Sequence, residues 1–483
     1  MTALTDTDAR ASSWSDLVRE GRAPVLALIL LGDWLIAADA LVTATIMPAV
    51  GASLHAFAWF GWAAAAFLTA LVVAAASAGW LGERLGLRTA MMLAGLMLAI
   101  GCAMSAAAPG IAVFLLGRAL QGCSGGWMIG LIYVALAMLF PTRHLPRVFA
   151  LATSVWGVAT LAGPLIGGLF ADAGIWRGVF WLFAAQALLF TAAAAFLIPK
   201  RAPRSGAPSL AISPLLLLAV GVAGLASAGV VAAGWLASLV AAGGAAAIAL
   251  AFLADRKDRH GVVPTRAADP CFPLGAAYLT YFATTAAGVA FALYGPAVVQ
   301  FTVGLSALEA GYLVALEALT WTAAALAVAG APEAWRLRLI AIGAAAILGG
   351  VATLTLIIDD GNLIAIGLAG ALLGAGYGVS YAFISQQVIG AFDEAERARG
   401  SSAIGAVRNA GGAVGASLAA LAANASGFGG GLDEANVGAV AAGAFGVGIP
   451  FALLGLAGAL RLVRRPAPRR AQAAVGLGIS ESA

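Results

Sequence analysis

Apolar positions in this chain fall in long unbroken runs, without the strict alternation of a half-buried strand. Runs near 24–49, 57–80, 89–108, 111–139, 147–171, 178–198, 211–230, 232–254, 274–302, 308–330, 338–358, 362–390, 400–424 and 437–463 are separated by short segments carrying Arg, Asp, Gly or Pro. A helix that crosses a bilayer needs about 20 mostly apolar residues, so the pattern predicts fourteen transmembrane helices. The Ala/Gly-rich stretch 211–254 is too long for one crossing, and Gly229 near its middle divides it into a two-helix hairpin.

Composition points the same way, with 62% apolar and 10% charged residues, against about 25% charged in a soluble domain. A water-soluble enzyme is excluded. Net charge is +4, but Lys200 and Lys257 are the only lysines and no long basic run exists, so nucleic-acid binding is not expected. Cys102, Cys123 and Cys271 are far apart and form no metal-ligand spacing, so neither a metal nor a cofactor is expected. Residues 1–23 are polar, and the apolar run that follows is too long for a secretory signal of 7–15 apolar residues; it is expected to remain as the first span.

Lys and Arg fall on alternate connections. With the N-terminus placed inside, 23 of the 26 lie on cytoplasmic segments, Arg177 alone lies outside, and Arg118 and Arg408 lie within spans. Because such residues resist translocation, both termini are expected to be cytoplasmic. The expected organisation is an N-terminal segment 1–23, a six-helix bundle 24–199, a linker 200–273 holding the hairpin 211–254, a second six-helix bundle 274–463, and a tail 464–483.

Between spans 2 and 3 stands Gly79-Trp80-Leu81-Gly82-Glu83-Arg84-Leu85-Gly86-Leu87-Arg88. Glycines suit a tight turn, and an acid between two arginines suits a latch that breaks and re-forms. Span 4 carries Arg118, Gln121, Gly122 and Gly125, and an intramembrane arginine is costly enough to suggest function. Span 5 contains Ala159-Thr160-Leu161-Ala162-Gly163-Pro164-Leu165-Ile166-Gly167-Gly168, where the proline bends the helix and the glycines admit a neighbour. In this order the three segments resemble the loop signature GxLaDRxGRR, the RxxQGxG pattern and the antiporter signature GxxxGPxxGG of the major facilitator superfamily. Glu83 stands where that family places Asp, and Ala150 and Ala159 stand where it prefers glycines. Residues 38–48, ADALVTATIMP, resemble the LDxTVVNVALP signature of its fourteen-span drug:proton antiporter branch, with Leu41 and Ala44 replacing Thr and Asn. Trp176-Arg177 with Phe180-Trp181 echoes the same branch. The resemblance implies two six-helix bundles that rock about a site near the midplane.

Of the 22 acids only Asp33, Asp39 and Glu317 lie well within spans, with Glu309 at a helix end. Asp39 and Arg118 sit at comparable depth and are expected to pair. Burial favours a neutral carboxyl whereas a neighbouring guanidinium favours the ionised one. A change in their separation would therefore take up or release a proton. Asp33 lies about 240° around the helix from Asp39, so the two need not share a cavity. Asp39, Arg118 and Asp33 are the candidate coupling residues. Glu317 with Trp34, Trp62, Trp127 and Trp321 are the candidate substrate-binding residues, because aromatic faces beside a carboxylate suit a lipophilic cation, and the resemblance implies the same for an acid in span 10. Trp156 is read with them as an aromatic at or near a span, and His55, His144 and His260 fall in loops.

The function expected is proton-coupled export of amphipathic or lipophilic small molecules across an inner or plasma membrane by a monomer. Proton-coupled uptake, or export of one dedicated metabolite, stays open because the motifs report coupling and not substrate. A polytopic membrane enzyme or sensor is the remaining alternative, for which no nucleophile-base set or output domain is visible.

Overall fold

The computed structural model describes residues 20–141, 144–200, 212–231, 234–257, 272–390 and 394–464. Its helices are α1 (Ala23–Ser53), α2 (Phe60–Leu85), α3 (Leu87–Ala106), α4 (Ile111–Leu139), α5 (Leu145–Asp172), α6 (Arg177–Leu197), α7 (Ile212–Ala228), α8 (Gly234–Lys257), α9 (Pro273–Val303), α10 (Ala307–Val328), α11 (Glu333–Ile357), α12 (Leu363–Gly390), α13 (Glu394–Ala425), α14 (Val437–Gly446) and α15 (Gly448–Arg464). The architecture is all-α, with α14 and α15 forming one interrupted span. Pro450, four residues after Gly446, has no N–H to offer its carbonyl, which accounts for the break. Twelve spans among the described residues are long and apolar enough to cross a bilayer. The fourteen expected segments are completed by α7, which is short, and α13, which is more polar.

Several helices outrun their apolar runs. α2 continues to Leu85, α11 begins at Glu333 and α13 at Glu394, because backbone hydrogen bonding persists into the polar boundary after hydropathy has fallen. The expected loop between spans 2 and 3 is corrected accordingly. Gly79 to Leu85 are helical, and the reversal rests on Gly86, buried at φ +77°. Only glycine adopts that conformation without strain.

Helices α1–α6 pack as one bundle and α9–α15 as another, with α7 and α8 forming a hairpin between them in sequence. Close crossings repeat between the bundles. In the first, Gly122 and Gly126 of α4 lie on the carbonyls of Phe67 and Leu71 in α2; in the second, Gly374 and Gly378 of α12 lie on those of Glu317 and Trp321 in α10. Gly163 and Gly167 of α5 lie against α1, as Gly411 and Gly415 of α13 lie against α9. A side chain would overlap backbone at Gly122, Gly126, Gly374, Gly378, Gly411 and Gly415 and the Leu41 Cβ at Gly163, and would be tight at Gly167, so small residues let the helices approach closely. The hairpin's α7 leans on α2 and α13, where Val222, Leu225 and Ile248 pack with Ala65, Ala413 and Val414.

The two bundles meet along two seams. At the α2/α13 seam, Phe57 meets Phe428, and Phe60 meets Tyr294 and Phe428, with ring centroids 5.3–5.6 Å apart. There the Asn424 amide also donates to the Ala58 carbonyl at 2.6 Å. At the α5/α10 seam, Gly168 packs on Leu308, and Gly311 faces Thr45 and Pro164. The Tyr312 hydroxyl donates to the Leu161 carbonyl at 3.2 Å, and Asp172 accepts from the Ala307 and Leu308 N–H groups. These contacts gather at the arginine-poor end, where α1 finishes and α2 starts.

Candidate functional site

The expected pair is present. Arg118 of α4 donates to Asp39 Oδ2 of α1 at 2.8 Å, and the residues are 2% and 1% exposed. Asp39 lies 14 residues before Ser53, about 21 Å at 1.5 Å per residue, so the pair is deep within the bilayer span. Arg118 also donates to Gln121 Oε1, its guanidinium carbon lies 4.4 Å from the Phe67 ring centre, and Gln121 Nε2 donates to Ser105 Oγ at 2.9 Å. The chain of contacts joins α1, α4 and α3. Burying two charges costs several kcal/mol per ion, and this network compensates only in part: Asp39 Oδ1 and Arg118 Nε are buried without a hydrogen-bond partner. An unpartnered carboxylate oxygen is suited to receiving a proton. Thr43 Oγ1, one turn along α1, is likewise buried and unpartnered.

Asp33 shares no hydrogen bond or ion pair with Asp39 or Arg118 among the described residues. It is half-buried and its Oδ2 has no partner. Tyr133 lies within electrostatic reach of both Asp33 and Arg408, and Arg408 also reaches Tyr281 and Tyr381. Arg408, which the sequence left without a role, therefore sits between groups of the two bundles.

The tryptophans separate by environment. Trp34 donates to Gln186 Oε1 of α6 at 2.9 Å, and Trp127 donates to Ser77 Oγ of α2 at 2.9 Å, so both indole N–H groups are engaged inside the first bundle. Trp62 packs against the hairpin contact, with its N–H buried and unpartnered. Trp156 is exposed. Trp321 belongs to a ring cluster in the second bundle, 5.1 Å from Tyr377 and 5.3 Å from Tyr381, with Tyr281 at 4.6 Å from Tyr381. The tyrosine hydroxyls are held internally: Tyr377 donates to the Thr284 carbonyl, Tyr381 bonds Thr285 Oγ1 at 2.7 Å, and Tyr281 donates to the Tyr381 carbonyl. Glu317 is half-buried one turn from Trp321, within electrostatic reach of Tyr377. Its carboxylate takes no hydrogen bond or ion pair among the described residues. Sequence reasoning missed this tyrosine platform and Ser105, because in helices apolar on every side the sequence carries no signal of which face turns inward.

At the arginine-rich end Gly79, Glu83 and Arg84 are exposed, and Arg88 is half-buried. Arg84 lies over its own Trp80 ring at 5.2 Å and forms no ion pair with Glu83 among the described residues. In α5, Gly163 meets Leu41, Gly167 meets Val42 and Thr45, Gly168 meets Leu308, and Pro164 meets Gly311. The span 5 motif is thus wedged between α1 of its own bundle and α10 of the other. Glu309 closes a capping box with Ser306, and His144 is buried beside Glu20 at 3.2 Å. Cys271 and His260 lie outside the described residues.

A family model described as Major Facilitator Superfamily matches residues 29–416. A relative from Mycobacterium tuberculosis, described as a probable multidrug-efflux transporter, is 29% identical over 445 residues, covering 87% of this chain and 92% of its own. The tetracenomycin C resistance and export protein of Streptomyces glaucescens is 29% identical over 196 residues, 40% of this chain and 36% of its own. Among solved structures, a D-xylose-proton symporter superposes with TM-score 0.64 at 16% identity, covering 92% of this chain and 98% of that one. A peptide transporter gives TM-score 0.65 at 16% identity, covering 91% and 95%. At such identity the structures speak for the fold alone, and they share the two-bundle plan. The chain is an integral membrane transporter, not an enzyme, and belongs to the Major Facilitator Superfamily.

Proposed function

We propose that this transporter is a proton-coupled antiporter that exports amphipathic or lipophilic small molecules, cationic ones among them, by alternating access. The observation that carries the reading is the Asp39–Arg118 pair, buried at 2.8 Å with one carboxylate oxygen unpartnered. Protonation of Asp39 releases Arg118, and deprotonation restores the pair, so proton binding is tied to how α1 and α4 sit. The multidrug-efflux description of the Mycobacterium tuberculosis relative supports export.

With the arginine-poor end taken as the outside, the seams are closed outside, and the chain rests in a cytoplasm-facing state with both termini inside. Glu83 and Arg84, on the last turn of α2, which also carries Gly79 further back, with the Gly86 reversal and Arg88 beyond it, form the latch that engages when the halves close on that face. Gly163, Pro164, Gly167 and Gly168 seal the opposite face. Glu317 and Trp321, backed by the tyrosine platform, receive the cationic part of a substrate, and Asp33 is a second acid for proton coupling.

The test is proton flux in everted vesicles under an imposed pH gradient, with a panel of lipophilic cations and neutral drugs added to wild type and Asp39→Asn. Substrate-dependent proton release in the wild type alone is expected. Release that persists in Asp39→Asn overturns the mechanism, and no release from inserted wild type overturns multidrug antiport. Export of one dedicated molecule is the second reading. It is favoured by partial matches to named exporters, tetracenomycin C export and an aspyridones efflux protein of Neocamarosporium betae, and it is tested by the same flux with such compounds.

A further inference from the structure

The first turn of α10 has a donor arrangement that does not close within its own bundle. A helix begins with N–H groups that have no partner in its own ladder. Here the Ser306 N–H donates to Glu309 Oε2 at 2.9 Å and the Glu309 N–H donates to Ser306 Oγ at 3.2 Å, a reciprocal capping box. That leaves Ala307 and Leu308. Both donate to Asp172, the last residue of α5 in the other bundle, Ala307 to Oδ1 at 2.8 Å and Leu308 to Oδ2 at 3.3 Å. One turn earlier in α5, Gly168 sits on the Leu308 backbone so closely that any side chain there would overlap it.

The geometry points to Asp172 as the positioning residue that holds the arginine-poor end shut, by capping a helix of the opposite half. Its negative charge lies where the dipole of α10 is positive, and each carboxylate oxygen takes one donor. Asp172 is exposed, so when the halves part both the carboxylate and the two N–H groups pass to water, and no buried group is stranded. The contact is therefore reversible at low cost, unlike the buried Asp39–Arg118 pair. The sequence offered only an acid at a span end; the assignment comes from the seam, and it rests on the alternating-access reading.

Spin-label distances on the purified full-length protein test it without substrate or pH gradient, so their outcome is independent of whether drug:proton antiport is found. Labels go on Pro109→Cys and Asp360→Cys, at the arginine-poor end of each bundle, with Cys102, Cys123 and Cys271 replaced by alanine. The parent is expected to show mainly the short distance. Asp172→Ala is expected to raise the long-to-short ratio on the order of tenfold, the effect of losing hydrogen bonds to a charged group, and Asp172→Asn, which keeps one acceptor oxygen, less. Glu434→Ala, which removes an exposed acid at the same end, is expected to leave the ratio unchanged. A ratio in Asp172→Ala equal to the parent's overturns the assignment, as does an equal shift in Glu434→Ala. If Asp172→Ala does not yield folded protein, Asp172→Asn is judged by the same criterion.

Discussion

Arg118 is held by Asp39 and Gln121 through Nη1 and by the face of Phe67. Removing one partner of a buried ion pair leaves the other charge uncompensated, at about 3–5 kcal/mol. Arg118→Ala and Asp39→Asn are therefore both expected to lower the thermal unfolding midpoint markedly in detergent, and Asp39→Asn is not spared by keeping its shape, because the stranded guanidinium cannot shed its charge as a stranded carboxyl can by taking up a proton. An unchanged midpoint in Asp39→Asn would mean that Arg118 is held by packing alone. Glu317 gives a contrast in function. Glu317→Gln is expected to reduce export of lipophilic cations several-fold and to spare neutral compounds, measured as efflux of paired dyes; equal losses would show a structural role. Asp39 and Arg118 were legible because charge within an apolar run is rare and the two share a depth. Tyr377 and Tyr381 were not, because a tyrosine in an apolar helix looks the same whether it faces lipid, core or cavity.

Glycines set the close helix crossings in each bundle, and they differ sharply in tolerance. A methyl group on Gly122 would overlap the Phe67 backbone, whereas one on Gly125 meets nothing nearer than 3.7 Å. Gly122→Ala is expected to cost about 1–3 kcal/mol through overpacking and Gly125→Ala little, read as a difference in thermal unfolding. Equal tolerance would mean that α2 and α4 have room to move apart. Both glycines stood in one sequence motif, and nothing in their spacing told them apart, since the partner α2 lies some fifty residues away in the chain. Span positions, by contrast, were readable to within a few residues from hydropathy. The errors fall where a helix outlasts its apolar run, as at Leu81 to Leu85 and Glu394 to Arg399, because hydropathy reports the bilayer and backbone hydrogen bonding reports the helix.

The two halves share two seams, and the contacts joining them gather at one end. On the opposite face Glu83 and Arg84 are exposed, so the double variant Glu83→Ala with Arg84→Ala is expected to slow export several-fold while leaving the unfolding midpoint within a degree or two. A large loss of stability instead would make the turn structural. The seams themselves are unequal. The hairpin α7–α8 leans on the α2/α13 seam, while its outward faces carry Leu216, Val220, Trp235, Leu239, Leu250 and Leu253 to the lipid. Nothing comparable overlies the α5/α10 seam among the described residues. A membrane-dissolved molecule drifting sideways toward the junction of the halves thus meets two extra helices on one flank and the bare α5/α10 packing on the other, so the two halves present unequal flanks to the lipid leaflet.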